Sequence, residues 1–448
     1  RTRSRTQAYS TLEGTDWLAS NYEEFSDVIN SEKPCAEQAF SACVTEHPVS
    51  MFLPEPKSFQ SILRQPPEIR DAWLKAVKSK IKNLNTNGTF AFDQPKKGDQ
   101  IIPTMLVLKC KSKSDGNVDK LKGRIVARGD LQTNDEYVDT WSTCVSMRGL
   151  RMFLAFGARE KKRIRQANFV GAYLQADVCE RFFVRLPEIY KQYFPKRAEY
   201  FGGPLRLLKG IYGLTLSGKI WVQEFSDWLS SKGFQQSKAE PAYFILYKDN
   251  KEWLRLIFFV DDMLYFGSST QIEKWFEQEV TKRFNCELQG NAHWFLQMRI
   301  HQHKDFSYSI DQSRYLMTII RKYNPDNCPW GLPKHRDTPA PTDYVYSKKN
   351  RPQTEEEKST ITKKFPSLDF RSAVCSLLYL AFGSRADILF ITCKLAKACS
   401  DPGLIDFQAL LWLFGYLRKE WNLGICFYSD VTKSPTHQLA VKYGFANS

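Results

Sequence analysis

What the chain lacks narrows its class first. The longest apolar runs, such as “LRLIFFV” and “ALLWLFGYL”, fall far short of the roughly 20 residues a membrane-spanning helix needs. No C-x-x-C occurs, and the six histidines do not fall at zinc spacing with the eleven cysteines. An odd number of scattered cysteines speaks against a disulfide framework and for reduced thiols in an intracellular protein. No internal repeat and no signal peptide is visible, and the opening “RTRSRT” reads as a tail or a cut inside a longer chain. Acidic residues are in deficit: 49 Asp+Glu against 64 Lys+Arg leave a net charge of +15. Such an excess faces a polyanion, nucleic acid first, or is spread over a generally basic surface.

Aromatics, by contrast, are plentiful. The 31 Phe, 20 Tyr and 11 Trp in 448 residues give globular composition and enough chain for two or three domains. Residues 1–54 are weakly patterned and lead into “FLPEPKSF”, read as a linker or arm. Trp73, Ala76, Val77, Ile81 and Leu84 recur at helical spacing, and Asn87-Gly88 should stop that helix. “IIPTMLVLKC” and “GRIVARG” read as a hairpin, with the polar link “KSKSDGNVDKLK” as a basic, mobile tip. A basic helix-like stretch runs from “LRLLKGIYGL” into “SGKIWVQEFSDWLSSKG”. Two apolar runs then meet at Asp261-Asp262, and Thr270 with Glu273 should form a capping box for the helix that follows. “WFLQMRIHQ” alternates like one strand. Beyond Ser313 the pattern is helical, interrupted from about Pro333 to Pro366.

Four stretches carry chemistry, each weak alone. Asp261-Asp262 sets two carboxylates side by side between apolar runs. They repel each other and lose solvation unless a divalent cation compensates them, although a polar turn would also hold them. In “RQANFVGAYLQ” a strand would present Asn168, then Gly171 and Ala172 for close approach, then Tyr173. An edge strand running into a helix reads the same way. In “LKGRIVARGD”, Lys122, Arg124 and Arg128 alternate with apolar residues. That cationic face suits a triphosphate or a template backbone, or is simply solvated. In “LLKGIYGLTLSGKIW”, small residues and Tyr212 at a helix start could lie under a base pair or open an ordinary amphipathic helix.

In their order, these stretches resemble the reverse transcriptase of Ty1/copia-type LTR retrotransposons, from about Pro56 to the C-terminus. “AWLKAVKSKIKNLNTNGTF” is similar to the family's opening helix, and “LKGRIVARGDLQ” to its Tyr-Lys-Ala-Arg-Leu-Val-Ala-Lys-Gly motif. “QANFVGAYLQADV” resembles Gln-x-Asp-Val-x-x-Ala-Phe-Leu, with Asn168 at the Asp. “LKGIYGLTLSGKIW” resembles Leu-x-x-x-Leu-Tyr-Gly-Leu-Lys-Gln-Ala-Pro-Arg-x-Trp, with Leu216 at the Gln. “FVDD” is similar to the Tyr/Phe-Val-Asp-Asp box, and “FLQMRI” to Leu-Gly-Met-x-Ile. “CSLLYLAFGSRADI” resembles Gly-Ser-Leu-Leu-Tyr-Leu followed by Thr-Arg-Pro-Asp-Ile, with Ala386 at the Pro. “KYGFANS” resembles the first strand of a ribonuclease H domain, with Asn447 at its first catalytic Asp.

The resemblance implies an α+β, right-hand polymerase fold. Its expected parts are an N-terminal linker or arm (1–54), fingers (55–158), palm (159–304, with part of the fingers at about 185–235), thumb and connection (305–434) and a truncated ribonuclease H start (435–448). The implied activity is RNA-directed DNA synthesis by two-metal nucleotidyl transfer. Asp261, Asp262 and position 168, with the Phe169 carbonyl, would hold two Mg²⁺, for which Mn²⁺ could substitute. Lys122 and Arg124 would neutralise the triphosphate, Leu216 would lie near the nucleotide, and Tyr173 would lie beneath the sugar and exclude a 2′-hydroxyl. Lys109, Lys111, Arg128, Lys209, Tyr212, Gly213 and Lys219 would contact nucleic acid.

Expected partners are an RNA template with DNA primer or an RNA/DNA hybrid, deoxynucleoside triphosphates, and a second copy or a longer Pol chain, with no membrane. The expected setting is a cytoplasmic virus-like particle or the nucleus. Asn168 removes one charge from a site for hard cations, which should cost roughly three powers of ten in rate. This chain should therefore bind a duplex and polymerise poorly. Deliberate inactivation would leave Asn at both 168 and 447, whereas Leu216 and Ala386 fit a decayed copy. The competing function class is an inert nucleic-acid-binding or structural subunit.

Overall fold

A computed structural model of the chain describes residues 48–112, 117–132, 140–187, 189–190, 203–248, 251–430 and 432. The first elements are α1 (Phe59–Leu63), α2 (Pro67–Thr86), β1 (Phe90–Ala91), β2 (Gln100–Ser112) and β3 (Val118–Ala127). Next come α3 (Met147–Arg159), β4 (Arg165–Phe169), β5 (Phe182–Arg185), β6 (Leu205–Leu207) and α4 (Ser217–Ser231). β7 (Gln235–Gln236), β8 (Tyr243–Tyr247), β9 (Trp253–Phe259), β10 (Asp262–Gly267), α5 (Thr270–Arg283) and β11 (Cys286–Asn291) follow. Then β12 (Trp294–Phe295), β13 (Met298–Gln302), β14 (Tyr308–Asp311) and α6 (Ser313–Tyr323) lead to α7 (Glu355–Lys364), α8 (Phe370–Gly383), α9 (Leu389–Ala396), α10 (Leu404–Lys419) and β15 (Ile425–Phe427). The mixture of helices and largely antiparallel sheets is the expected α+β class. Among the described residues no helix is long and apolar enough to cross a membrane.

Three cores organise these elements. The first lies between α2 and a five-stranded sheet, ordered β1-β6-β5-β2-β3. Trp73, Val77, Ile81 and Leu84 of α2 are buried as their spacing requires, and the helix stops at Asn87, before Gly88 at φ +59°. β3 crosses α2 at Gly123, where a Cβ would meet the Val77 side chain at 3.0 Å and its Cα at 3.2 Å. Phe52, from the expected arm, packs edge-on against Trp73 in this core. The link read as a mobile tip is mostly strand: β3 already starts at Val118, and residues 113–116 lie outside the described residues. The stretch read as helical from Leu205 is corrected too. Leu205–Leu207 is strand β6, and α4 starts only at Ser217, because Gly213 at φ +86° breaks any earlier helix.

The second core lies under a six-stranded antiparallel sheet, ordered β11-β4-β10-β9-β8-β7. α3 (Leu150, Phe153, Leu154), α4 (Trp221, Phe225, Leu229) and α5 (Ile272, Phe276, Val280) bury their apolar faces in it. The boundary expected at 158/159 therefore falls at the far end of a helix that already belongs to this core. The capping box of α5 is displaced: Ser269, not Thr270, is the N-cap, and its hydroxyl accepts from the Ile272 N–H at 3.3 Å. Glu273 turns away, accepting from the Gly267 N–H at 3.0 Å.

A four-stranded sheet, ordered β12-β13-β14-β15, adds Phe295, Met298, Ile300, Tyr308 and Ile310 to the second core, and the third core is helical, formed by α6, α8, α9 and α10. “WFLQMRIHQ” is a hairpin, not one strand, turning at Leu296 (φ +50°) and Gln297 (φ +58°). The expected interruption after Pro333 contains α7, capped by Thr354 and opened by three Glu, with no buried residue. It buries no apolar stripe, which is why its pattern was silent.

Candidate active site

The two apolar runs around Asp261-Asp262 are β9 and β10, paired from Phe259↔Asp262 onward. A two-residue turn, Val260-Asp261, closes the hairpin. Val260 sits at φ +56°, a conformation that costs a β-branched residue about 1–3 kcal/mol and persists only where the surroundings impose it. Here the Trp221 indole N–H donates to the Val260 carbonyl at 2.7 Å, and the Phe169 N–H to the Asp261 carbonyl at 2.7 Å. The turn is thus held from α4 and from the end of β4.

β4 lies between β10 and β11, with Asn168 opposite Asp262 on one side and Glu287 on the other. Directly opposed residues share a face of the sheet, so the amide lies between two carboxylate-bearing positions. Its Nδ2 donates to Asp262 Oδ1 at 3.1 Å. Burial pushes the Asp262 carboxyl above its ordinary range, the Asn168 bond pulls it back, and the neighbouring Asp261 pushes it up again. Phe169 turns its ring into the second core, 4.9 Å from both Trp221 and Phe225, so only its backbone can serve the site. As a home for two divalent cations the set is incomplete. The amide donates a hydrogen where a carboxylate would accept a cation, and among the described residues no group of three His, Cys, Asp or Glu could hold a metal ion.

Beside this turn stands an aromatic wall. The Tyr173 and Tyr212 rings meet edge to face at 5.0 Å, and the Arg124 guanidinium lies 5.4 Å from the Tyr212 ring centre. Burial, then Tyr212 and Asp261, push the Tyr173 hydroxyl up to about 12. Gly213 fits backbone to backbone here: a Cβ would lie 2.2 Å from the Ala127 carbonyl oxygen. Arg124 continues into a cationic ladder, since Lys109 stands opposite Lys122 and Lys111 opposite Lys120. Burial, with Lys111, Arg124 and Lys120, lowers Lys122 to about 8, and burial with Arg124 also lowers Lys80 on α2.

Other expected site residues stand elsewhere. The Lys109 ammonium is taken by the Glu55 carboxylate, which also accepts from the Cys110 N–H at 2.9 Å. β3 ends at Ala127, so Arg128 leaves the ladder and pairs with Asp130 at 2.7 Å. Lys209 pairs with Asp177 at 2.7 Å. Leu216 is a buried side chain at the N-cap of α4, and Lys219 lies half-buried in that helix's first turn. Asn447 lies outside the described residues. Sequence reasoning missed Lys80, Lys120, Gln175 and Glu287, because strand register or helix–sheet packing brings them in. The one signal in the sequence is Lys120, whose neighbours alternate as a strand does within the polar link.

Residues 87–335, more than half of the chain, match the family model described as reverse transcriptase (RNA-dependent DNA polymerase). The chain is 26% identical over 376 residues to the retrovirus-related Pol polyprotein from transposon TNT 1-94 of Nicotiana tabacum, covering 83% of this chain and 27% of that protein. It is 25% identical over 358 residues to the corresponding polyprotein from transposon RE1 of Arabidopsis thaliana, covering 79% and 23%. It is 27% identical over 223 residues to the truncated transposon Ty1-A Gag-Pol polyprotein of Saccharomyces cerevisiae, covering 49% and 17%. The chain thus spans about a quarter or less of the length of the curated relatives it matches. With an acidic turn, a facing strand and a cationic hairpin in the same order as that family's motifs, the chain belongs to the reverse transcriptase (RNA-dependent DNA polymerase) family, of the Ty1/copia type.

Proposed function

We propose that this chain carries the polymerase part of a retrotransposon Pol protein and is built to copy an RNA template into DNA, but is weakened by its own residue 168. The observation that carries the reading is Asn168 paired with Asp262 at the strained turn of β9 and β10. In this reading the β2–β3 hairpin is the fingers, the six-stranded sheet the palm and the helical core the thumb. Asp261, Asp262, a carboxylate at 168 and the Phe169 carbonyl would hold two Mg²⁺, or Mn²⁺. When bound, that pair supplies charge neutralisation around the reacting phosphate and the primer 3′-hydroxyl.

The chain's own residues do the rest. Lys122 and Arg124, with Lys111 beside them, draw in and orient the triphosphate. Tyr173 and Tyr212 wall the sugar side, where a 2′-hydroxyl would meet the Tyr173 ring. Duplex contacts come from the basic surface, for which Lys109, Arg128 and Lys209 would first have to leave Glu55, Asp130 and Asp177. Residues 435–448 would begin a ribonuclease H domain whose first acidic position is Asn447. A second copy or a longer Pol chain, and a cytoplasmic particle or the nucleus, complete the expected setting.

The second reading, an inert nucleic-acid-binding or structural subunit, draws on the Asn168 amide already satisfied by Asp262 and on the buried Leu216. Primer extension on an RNA template separates the two. The first reading expects Asn168→Asp to extend the primer in Mg²⁺. The second expects salt-sensitive duplex binding, with no extension by either form.

A further inference from the structure

The side chain of Gln175 behaves as an extra peptide unit. Its Oε1 accepts from the Asn285 N–H at 2.8 Å, and its Nε2 donates to the Asn285 carbonyl at 3.0 Å and the Val170 carbonyl at 3.2 Å. The Asn285 carbonyl also accepts from the Val170 N–H at 2.9 Å. Together these bonds carry the β4–β11 pairing past its last pair, Cys286↔Phe169. All the carboxamide's hydrogen-bonding directions but one lone pair are thereby used on backbone.

What this clamp closes is the turn from Val170 to Gln175. Gly171 takes the left-handed conformation (φ +67°, ψ +52°), and a single 3-10 turn, Ala172–Gln175, follows. Tyr173 rides on that turn. On one side its ring meets Tyr212 at 5.0 Å. On the other its carbonyl oxygen lies 2.8 Å from where a Cβ on Gly210 would be, so that wall is packed tight. Among the described side-chain hydrogen bonds, those of Gln175 alone tie the turn's far end to Asn285, the residue before β11.

We propose that Gln175 is a positioning residue for Tyr173 and, through it, sets the selection of deoxyribonucleotides over ribonucleotides. The inference rests on the reading of Tyr173 as the wall beneath the sugar. A shift of about 1 Å in a positioned group can change rates about a hundredfold, and the difference between the two sugars is a single hydroxyl, so selection should move before overall binding does.

The test uses the full chain with an RNA template and a dideoxy-terminated DNA primer. It measures how strongly the next deoxynucleotide and the matching ribonucleotide retain the complex. The same ratio is read as kcat/KM in the Asn168→Asp form. Gln175→Met keeps volume and removes all three bonds, Gln175→Glu keeps the acceptor and loses both donors, and Tyr173→Ala removes the wall. Amide hydrogen exchange over Val170–Gln175 and thermal unfolding accompany each variant.

The expected result is loss of sugar preference in Tyr173→Ala and a fall of about tenfold in both Gln175 variants, with deoxynucleotide retention within about threefold. Exchange should quicken over Val170–Gln175 only. Preference lost in Tyr173→Ala but intact in both Gln175 variants overturns the role of Gln175 and leaves the wall standing. Preference intact in Tyr173→Ala, or no nucleotide-dependent retention in any form, overturns the wall and the inference with it. Should Gln175→Met fail to fold, Gln175→Glu decides alone.

Discussion

The β2–β3 hairpin and the β9–β10 turn meet the same electrostatic difficulty with opposite signs. On the hairpin, Lys109 faces Lys122 and Lys111 faces Lys120, and like charges directly opposite one another destabilise a strand pair. At the turn, Asp261 and Asp262 are adjacent in sequence, and Asp262 is half-buried. Relief differs in kind. The hairpin spreads its excess over five cations and gives one of them, Lys109, to Glu55. At the turn, Asp262 is relieved only by neutral amides, Asn168 first and Gln166 after it. A distributed surface should lose binding gradually as charges are removed. A site whose charge is relieved by two neutral amides alone should switch steeply.

The largest expected effect follows from that steepness. In the Asn168→Asp form, adding Asp262→Asn should return incorporation to the level of the unaltered chain or below, a drop of roughly three powers of ten, read by single-turnover extension. On the hairpin the change is gentler: Lys120→Glu should weaken duplex binding about tenfold at moderate salt and make the log Kd versus log salt slope shallower by about one. An equally steep loss on both elements would erase the contrast between them.

Lys122 sharpens it further. Its folded pKa of about 8 lies below the ordinary 10.5, so the unbound ladder sheds this proton as pH rises past 8. A bound triphosphate should restore it, and affinity should fall by up to about tenfold per pH unit between 8 and 10, as seen in titrations at several pH values. Lys122→Arg should flatten that dependence, since a guanidinium stays charged.

The smallest effect concerns stability. Asp262 has its folded pKa raised, so the folded state binds more protons than the unfolded chain in the interval from that raised value down to the ordinary 3.8. Its ionised form therefore costs stability above that value and nothing below it. Asp262→Asn should raise Tm modestly at pH 7 and leave it nearly unchanged at acid pH, by calorimetry.

How much of this was legible beforehand depended on the range of the interaction. The helix α2 was written in the spacing of Trp73, Val77, Ile81 and Leu84, because one buried stripe on one helix is a local pattern. Ser269 and Thr270 can both cap, and contacts from outside the helix, Ser269 to Glu252 and the Gly267 N–H to Glu273, go with the cap at Ser269. Strand β6 reads as helix in the sequence because three residues are too few to show a period. The meeting of Asn168 with Asp262, 94 residues apart, was foreseen only through motif order. Gln175 at Asn285 and Glu287 beside Asn168 carry no signal, since long-range side-chain hydrogen bonds join the first pair and strand register the second.

On the reading proposed above, one side-chain atom at position 168 separates this chain from an active polymerase. The direct measurement is single-nucleotide incorporation on an RNA template in Mg²⁺ by the unaltered chain and by Asn168→Asp, at matched duplex binding. Restoring the carboxylate should raise incorporation about a thousandfold or more. Equal and robust incorporation by both forms would contradict it.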